Sequence, residues 1–134
     1  MDVKVSQPGE ANYEHTRTGM GVEALKQAFL DNLFYLQGRF PVVATRNDNY
    51  MALAYTVRDR ILERWKHSAR SYKKAHARTV CYFSAEYLPG PHLVNNLINL
   101  GLLDAARAAA DGLGLPFDGV EEQEEEPGLG NGGL

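Results

Sequence analysis

Three glycines near the end of the chain have a spacing that could hold a phosphate group. Gly128, Gly130 and Gly133 fit the pattern G-x-G-x-x-G within the stretch GLGNGGL. Glycines allow positive φ angles and let several backbone N–H groups approach one anion, usually where a helix begins. A dinucleotide fingerprint would follow a strand directly, whereas this pattern follows five glutamates and Pro127, and a P-loop would need Gly-Lys-Ser/Thr. Spacing alone leaves open a phosphate-binding loop and a flexible loop.

Glu86 is a second candidate, because it follows a short apolar segment. Residues 79–84 read TVCYFS, which is rich in β-branched and aromatic side chains and too short for a helix, so we predict a buried strand. In α/β sheets ligands collect at the carboxyl ends of such strands, which makes residues 84–91 a candidate site region. Glu86 could act there as an acid, a base or a ligand for sugar hydroxyls, or it could accept backbone amides from a nearby loop. Both interpretations stay open.

The other reactive residue types have simpler interpretations. His92 has no partner carboxylate or nucleophile pattern beside it, which favours a histidine in a loop or at a helix N-terminus. Cys81 lies inside the predicted strand and is interpreted as a packing residue. A single cysteine excludes an internal disulfide, and the four histidines have no spacing typical of a metal site, so we predict no metal.

Charged residues form two clusters with two interpretations each. Eight of the fourteen lysines and arginines could form an anion site, although a solvated helix face with basic residues toward its C-terminal end is favoured. The acidic run at residues 121–126 could contribute to a metal site, but a metal needs oxygens from other segments too, which favours a solvated helix or turn. The basic cluster consists of Arg58, Arg60, Arg64, Lys66, Arg70, Lys73, Lys74 and Arg78.

Two amphipathic helices must position the first half of the chain. Apolar residues recur at three- and four-residue steps from Gly21 to the turn at residues 38–41, which predicts a first helix. A second apolar stripe follows, with Asn47 or Asp48 available as its N-cap, and predicts a long helix to about Lys74.

The second half predicts two short helices, divided near Gly101 and closed by Gly112 and Gly114. Residues 1 to about 18 show no periodicity, which is typical of a poorly ordered tail. One strand among at least four helices has no partner for its backbone groups. The chain therefore has the pattern of a part of a larger fold.

Composition limits the class of protein. The 134 residues suffice for one domain at most, and 44% hydrophobic with 23% charged residues is ordinary for a soluble globular protein. A net charge of −3 argues against a nucleic-acid partner. No apolar run reaches the roughly 18 residues of a membrane span, and the N-terminus lacks the pattern of a signal peptide. We expect a cytoplasmic protein with no membrane partner.

Three stretches, read in order, resemble the glycogen, starch and maltodextrin phosphorylases, and look most like the bacterial α-glucan phosphorylases. They are TRNDNYMALAYTVRDRILERW, YFSAEYLPGPHLVNNLINLGL and EEQEEEPGLGNGGL, and the resemblance covers about residues 20–134. It implies an α/β fold class, as an incomplete N-terminal Rossmann-like domain of a two-domain, GT-B type glycosyltransferase that is mostly helical in this fragment. Residues 1–18 would be the tail, and residues 19–134 the front part of that domain, truncated at the glycine loop.

The resemblance also implies a chemistry. Family members transfer a glucosyl unit from the end of an α-1,4-glucan to inorganic phosphate, giving α-glucose 1-phosphate with retention. Their cofactor, pyridoxal 5'-phosphate, acts through its own phosphate group as acid and base, so no pair of enzyme carboxylates is required. The implied partners are the glucan, phosphate, glucose 1-phosphate and, at full length, a second copy of the chain in a homodimer.

Site residues follow from the same match. Gly132, Gly133 and Leu134 match the positions of the family's glycine loop that touch ligand, where backbone N–H dipoles can hold anionic charge. Asn131 and Glu86 match positions in or beside the site, with Glu86 bracing the loop rather than doing chemistry. The Schiff-base lysine and the basic residues that hold the substrate phosphate lie beyond Leu134 in the family. We therefore expect no catalytic residue in the fragment and no activity from the fragment alone.

The chain departs from the family pattern at three places, two of which bear on regulation. Gly90-Pro91 stands where many members have Gly-Arg, so any role of that arginine is absent. Ser6 has no basic flank, and Tyr72-Lys73 stands where animal enzymes place an aromatic residue for a nucleotide activator. Control by phosphorylation or AMP is not expected.

Two hypotheses of different classes remain. The chain is an N-terminal fragment of an α-glucan phosphorylase, or it is a non-catalytic remnant or independent interaction module. Exposed sheet edges and a half-built core would make the fragment associate or dissolve poorly.

Overall fold

The computed structural model describes residues 16–84 and 90–126, and this part of the chain is helical. The helices pack around one shared core. The elements are α1 (Val22–Asp31), a π-helical turn (Asn32–Leu36), a 3₁₀ turn (Pro41–Val43), α2 (Arg46–Lys74), α3 (Leu93–Leu100), α4 (Leu103–Gly112) and α5 (Phe117–Glu121). The sequence predicted α1 to α4, whereas the five-residue helix α5 was not predicted.

α1 forms where apolar side chains recur at helical spacing, and the stripe continues into the π-helical turn. Gly38, with a φ angle of +66°, ends this helical segment, and its N–H donates to the carbonyl of Phe34 at 2.9 Å. Glycine is favoured in that left-handed conformation because it has no Cβ. The helix predicted from Gly21 to residues 38–41 is confirmed. Its buried stripe consists of Leu25, Ala28, Phe29 and Leu33.

α2 begins with a capping box. The hydroxyl of Thr45 accepts the N–H of Asp48 at 3.2 Å, and the Asp48 carboxylate accepts the N–H of Thr45 at 2.9 Å. These hydrogen bonds, first that of the Thr45 backbone and then that of its hydroxyl, lower the pKa of Asp48 below its ordinary value. The predicted N-cap, Asn47 or Asp48, is therefore wrong, because Asp48 is the third helical residue and reaches back to Thr45. The predicted end at Lys74 is confirmed.

Glycines also separate the short helices as predicted. Gly101 ends α3 with a φ angle of +72°, and the next N–H, of Leu102, donates to the carbonyl of Leu97 at 2.8 Å. Gly112 is the last residue of α4, and Gly114 has a φ angle of +69°. Both short helices and their boundaries are confirmed.

The core lies between α1, the first half of α2 and the three short helices. Its polar members are paired: Asn32 donates to the hydroxyl of Thr56 at 3.1 Å, which donates to the carbonyl of Ala52 at 2.8 Å. No buried side-chain nitrogen or oxygen in the described ranges lacks a hydrogen bond. The buried apolar side chains include Leu25, Phe29, Leu33, Leu53, Val57, Leu93, Leu97, Leu100, Leu102, Phe117 and Val120.

The second half of α2 extends away from this core. No residue of the helix after Arg60 is buried, and Trp65, which continues the predicted apolar stripe, is 67% exposed. None of the helices in the described ranges combines the length and apolar character that crossing a bilayer requires.

The predicted strand at residues 79–84 is wrong for this chain. The segment has no strand assignment, Val80, Tyr82 and Phe83 are each more than 90% exposed, and Cys81 is exposed rather than packed. A strand needs a neighbour for its N–H and C=O groups, and no strand occurs elsewhere in residues 16–84 or 90–126. The mostly helical character is thus confirmed, while the Rossmann-like sheet stays a prediction.

The capping box predicts the effect of Thr45→Ala. Loss of a threonine N-cap costs about 1 kcal/mol. The first turn of α2 should then open about fivefold more often. Hydrogen exchange of a peptide covering residues 46–50, followed by mass spectrometry, measures this change. Thr79→Ala, the same change at an exposed position outside any helix, serves as the control. Equal exchange of both variants with wild type would contradict the role of the cap.

Candidate functional site

The residues that the sequence predicts to contact or support ligand lie outside the described part of the chain. They are Glu86, Asn131, Gly132, Gly133 and Leu134. The structure does describe the chain next to them, from Gly90 onward after Glu86 and up to Glu126 before the glycines. It brings these two flanking stretches together.

Glu124 makes the connection. Its Oε1 accepts the N–H of His92 at 2.6 Å, and its Oε2 accepts the N–H of Leu93 at 2.8 Å. These N–H groups stand at the N-terminus of α3, where a helix has no carbonyl partners of its own and carries partial positive charge. A carboxylate accepts hydrogen bonds from these N–H groups, and its negative charge is attracted to the positive end of the helix.

The position of Glu124 is set by α5. Phe117 and Val120 of this helix are buried in the core, and two tight turns follow, in which Gln123 N–H donates to Val120 and Glu124 N–H donates to Glu121. The carboxylate is thereby carried back to the start of α3. The predicted solvated helix or turn is confirmed for the exposed residues Glu122, Glu125 and Glu126, and wrong for Glu124, which is half-buried.

Arg64 caps the other end of α3. Its Nη1 donates to the carbonyl of Asn99 at 3.0 Å and its Nη2 to that of Leu100 at 2.8 Å. The guanidinium thus meets the negative end of the helix dipole, as the Glu124 carboxylate meets the positive end. Two charged side chains from distant parts of the chain hold one eight-residue helix.

Arg60 is buried, with 2% of its surface exposed, in contact with the N-terminal segment. Its Nε donates to the carbonyl of Gly19 at 2.8 Å, its Nη1 to that of Thr56 at 2.7 Å, and its Nη2 to that of Thr16 at 3.4 Å. An ion pair between Arg17 and Asp59 at 2.8 Å adds to this attachment. Residues 16–19 are therefore fastened to α2.

Seven of the eight residues of the basic cluster are exposed, as the favoured interpretation of a solvated face predicts. Arg60 and Arg64 both direct guanidinium donors at backbone carbonyls, but only Arg60 is buried, so the predicted solvated face is wrong for Arg60 alone. A sequence signal existed for Arg60, since it continues the three- and four-residue spacing of Leu53 and Val57 on the buried side of α2. The favoured interpretation is confirmed for the last turn, where Lys73 and Lys74 are exposed and lie near the negative end of the helix dipole.

An open groove runs beside Glu124, between α2 and the start of α3. Burial, and secondarily the Glu124 charge, raises the pKa of the Tyr50 hydroxyl above its ordinary value. His92 occupies the N-cap position of α3, as predicted. No group of His, Cys, Asp and Glu side chains in the described residues could hold a metal ion. Polar groups that line the groove are Tyr50, Arg58, His92, Asn96 and Glu124.

Comparison with known proteins shows similarity to glycogen phosphorylases of bacteria and mammals. The chain is 60% identical over 121 residues to glycogen phosphorylase of Synechocystis sp., which covers 90% of this chain and 14% of the relative. It is 40% identical over 118 residues to glycogen phosphorylase of Chlamydia trachomatis, which covers 88% of this chain and 14% of the relative. It is 42% identical over 113 residues to the liver form of glycogen phosphorylase of Homo sapiens. That match covers 84% of this chain and 13% of the relative.

The chain thus spans about one seventh of the length of the curated relatives that it matches. No family model matches it.

The attachment by Arg60 predicts a change in proteolysis. Arg60→Leu leaves three backbone carbonyls without their charged donor, and each such hydrogen bond contributes about 1.5–3 kcal/mol. Trypsin should therefore cleave after Arg17 at least about tenfold faster than in wild type. Mass spectrometry of a time course under native conditions measures the rate. Arg70→Leu, which removes an exposed arginine from the same helix, should leave it unchanged. A wild-type rate in Arg60→Leu would show that Arg60 does not fasten this segment.

Proposed function

Because this chain belongs to the glycogen phosphorylase family, we propose that the full-length protein containing it is an α-glucan phosphorylase. It transfers a glucosyl unit from the end of an α-1,4-glucan to inorganic phosphate and releases α-glucose 1-phosphate with retention. The observation that carries this proposal is the 60% identity over 121 residues to a glycogen phosphorylase. The three motif stretches, in the family's order, support it independently of composition.

Within that reaction, this chain contributes to phosphate binding. The glycine loop supplies backbone N–H groups at Gly132, Gly133 and Leu134 that bind phosphate and glucose, and Asn131 and Glu86 support it. Backbone N–H groups suit this task because they are fixed dipoles that need no reorganisation when anionic charge develops.

Pyridoxal phosphate supplies the acid and base chemistry of the proposed reaction, but the described residues do not fit it. A Schiff-base lysine works in an enclosed pocket, and all four described lysines are at least partly exposed: Lys26, Lys66, Lys73 and Lys74. The groups that hold the cofactor are proposed to lie in the part of the full-length protein outside this chain. The homodimer and the cytoplasmic location stay predictions.

The exposed apolar surface favours a part of a larger protein over an independent module. Trp65, Val80, Tyr82 and Phe83 each expose more than 60% of their surface. Large apolar side chains left this exposed are typical of surfaces that another segment or chain covers. In the full-length protein, other segments would cover these side chains, and a neighbouring strand would pair with residues 79–84.

Phosphate-dependent product formation tests the proposed function. Full-length protein, loaded with pyridoxal phosphate, should release glucose 1-phosphate from maltoheptaose in phosphate buffer. A coupled assay with phosphoglucomutase measures this release. Without phosphate no free glucose should appear, because the acceptor is phosphate rather than water. Absence of glucose 1-phosphate from the loaded full-length protein would overturn the proposal.

The isolated 134-residue chain tests the alternative. We expect it to form no glucose 1-phosphate and to associate, because its apolar side chains at residues 80–83 and in α2 lack a cover. Light scattering during size-exclusion chromatography measures its mass. The double variant Tyr82→Ser, Phe83→Ser should associate less, whereas Thr79→Ser should not differ from wild type. A monomer that unfolds cooperatively would favour the independent module.

A further inference from the structure

We propose that α3 is a conformational coupler, through which the exposed half of α2 and the segment that follows α5 depend on each other. The coupling acts through the two charged caps of α3, Arg64 from α2 and Glu124 from the segment after α5. This inference goes beyond the proposed function and does not require it, because it concerns which parts of the chain open together.

α3 has no charged residue of its own. Its sequence, LVNNLINL, places no acidic residue in the first turn and no basic residue in the last turn. The side chain of its N-cap residue, His92, makes no capping hydrogen bond. Charges that oppose the helix dipole stabilise a helix at both ends. Both charges that stabilise α3 therefore come from other elements.

The two caps match each other in geometry. The Glu124 carboxylate accepts two N–H groups at one end of α3, at 2.6 and 2.8 Å. The Arg64 guanidinium donates to two carbonyls at the other end, at 3.0 and 2.8 Å. Each cap thus pairs two backbone groups that the helix leaves without partners. Eight residues at about 1.5 Å each put the caps about 12 Å apart, at the two ends of one short helix.

A helix of this length should open as one unit. Helices shorter than about 12 residues are marginal in isolation, because the first turn fixes several dihedral angles for a single hydrogen bond. The buried side chains of Leu93, Leu97 and Leu100 supply part of the stability that α3 needs. With about two turns in all, opening of one end leaves a single turn, which does not persist by itself. Loss of either cap should therefore loosen both ends.

The caps connect α3 to two segments that lie away from the centre of the core. Arg64 stands one turn beyond Arg60, the last buried residue of α2. Glu124 follows the end of α5 by three residues. A displacement of either segment acts on α3 and, through α3, on the other segment. Because a coupling free energy is reciprocal, the effect must be measurable in both directions.

Hydrogen exchange of the full-length protein, resolved to single residues by electron-transfer fragmentation, tests the coupling. Arg64→Gln removes the guanidinium at the C-terminal end of α3. The N–H groups of His92 and Leu93, which donate to Glu124, then report the distant end.

The reverse measurement uses Glu124→Gln, which removes the charge at the N-terminal end. Here the distant end is reported by the N–H groups of Gly101 and Leu102. These groups donate to carbonyls of the last turn of α3 at 2.9 and 2.8 Å.

Each variant should accelerate exchange at the distant end about threefold, which is the size expected for loss of one charge at a helix end. Arg70→Gln and Glu125→Gln remove the same charges at exposed positions and should leave exchange in α3 unchanged. Arg64→Lys and Glu124→Asp keep the charge and should give smaller changes in the same direction. They decide the question if a glutamine variant does not fold.

Two outcomes would overturn the inference. Wild-type exchange at the distant end in either variant would show that the two ends of α3 open independently. Equal acceleration of exchange in α1 would assign the change to the stability of the whole core. The measurement needs no turnover, so an inactive full-length protein would reject the proposed function and would leave the test of coupling intact.

Discussion

A helix of eight residues cannot satisfy its own ends, and this constraint organises the described part of the chain. Half of the N–H groups and half of the carbonyls of α3 lack partners within the helix. Glu124 and Arg64 provide two partners at each end, and both side chains are held by other elements. One cap comes from the end of the described chain and the other from α2. The hydrogen bonds that cap α3 therefore also connect α2, α3 and the segment after α5, which are distant in sequence.

The same accounting of backbone groups explains the failure of the predicted strand. Residues 79–84 have side chains typical of a buried strand, yet the segment is exposed and forms no strand, because nothing in the described ranges pairs with it. The second half of α2 is likewise exposed, because no described segment buries it. Side-chain preference describes the surroundings that a segment suits, and those surroundings require other segments to be present.

Glu124 precedes the glycine stretch in sequence and also caps α3. Family membership, at 60% identity to a glycogen phosphorylase, gives the glycine loop its proposed task of phosphate binding. The described structure shows how the chain leading to that loop is attached, through α5 in the core and a carboxylate on α3. The Glu124 carboxylate meets the positive end of the α3 dipole, where negative charge is stabilised.

Local patterns in the sequence determined the helices. The apolar spacing of Leu25, Phe29 and Leu33, and the left-handed glycines Gly38 and Gly101, act within one or two turns of the chain, so α1 to α4 could be predicted nearly to their ends. The motif stretches likewise indicated the family through their residue types and their order along the chain. Their glycine loop and Glu86 lie outside the described residues, so those site predictions stand on the sequence alone.

Tertiary structure decided everything that depends on distant partners. Arginine and glutamate are residue types that ordinarily lie on the solvated surface. Only packing placed the charges of Arg60, Arg64 and Glu124 against backbone carbonyls and N–H groups that lie 31 to 44 positions away in the sequence. The strand failed for the same reason, since no strand among the described residues can pair with it. Periodicity reports which face of an element is buried, whereas the contacts of a charged side chain depend on which unsatisfied backbone groups the fold brings within reach.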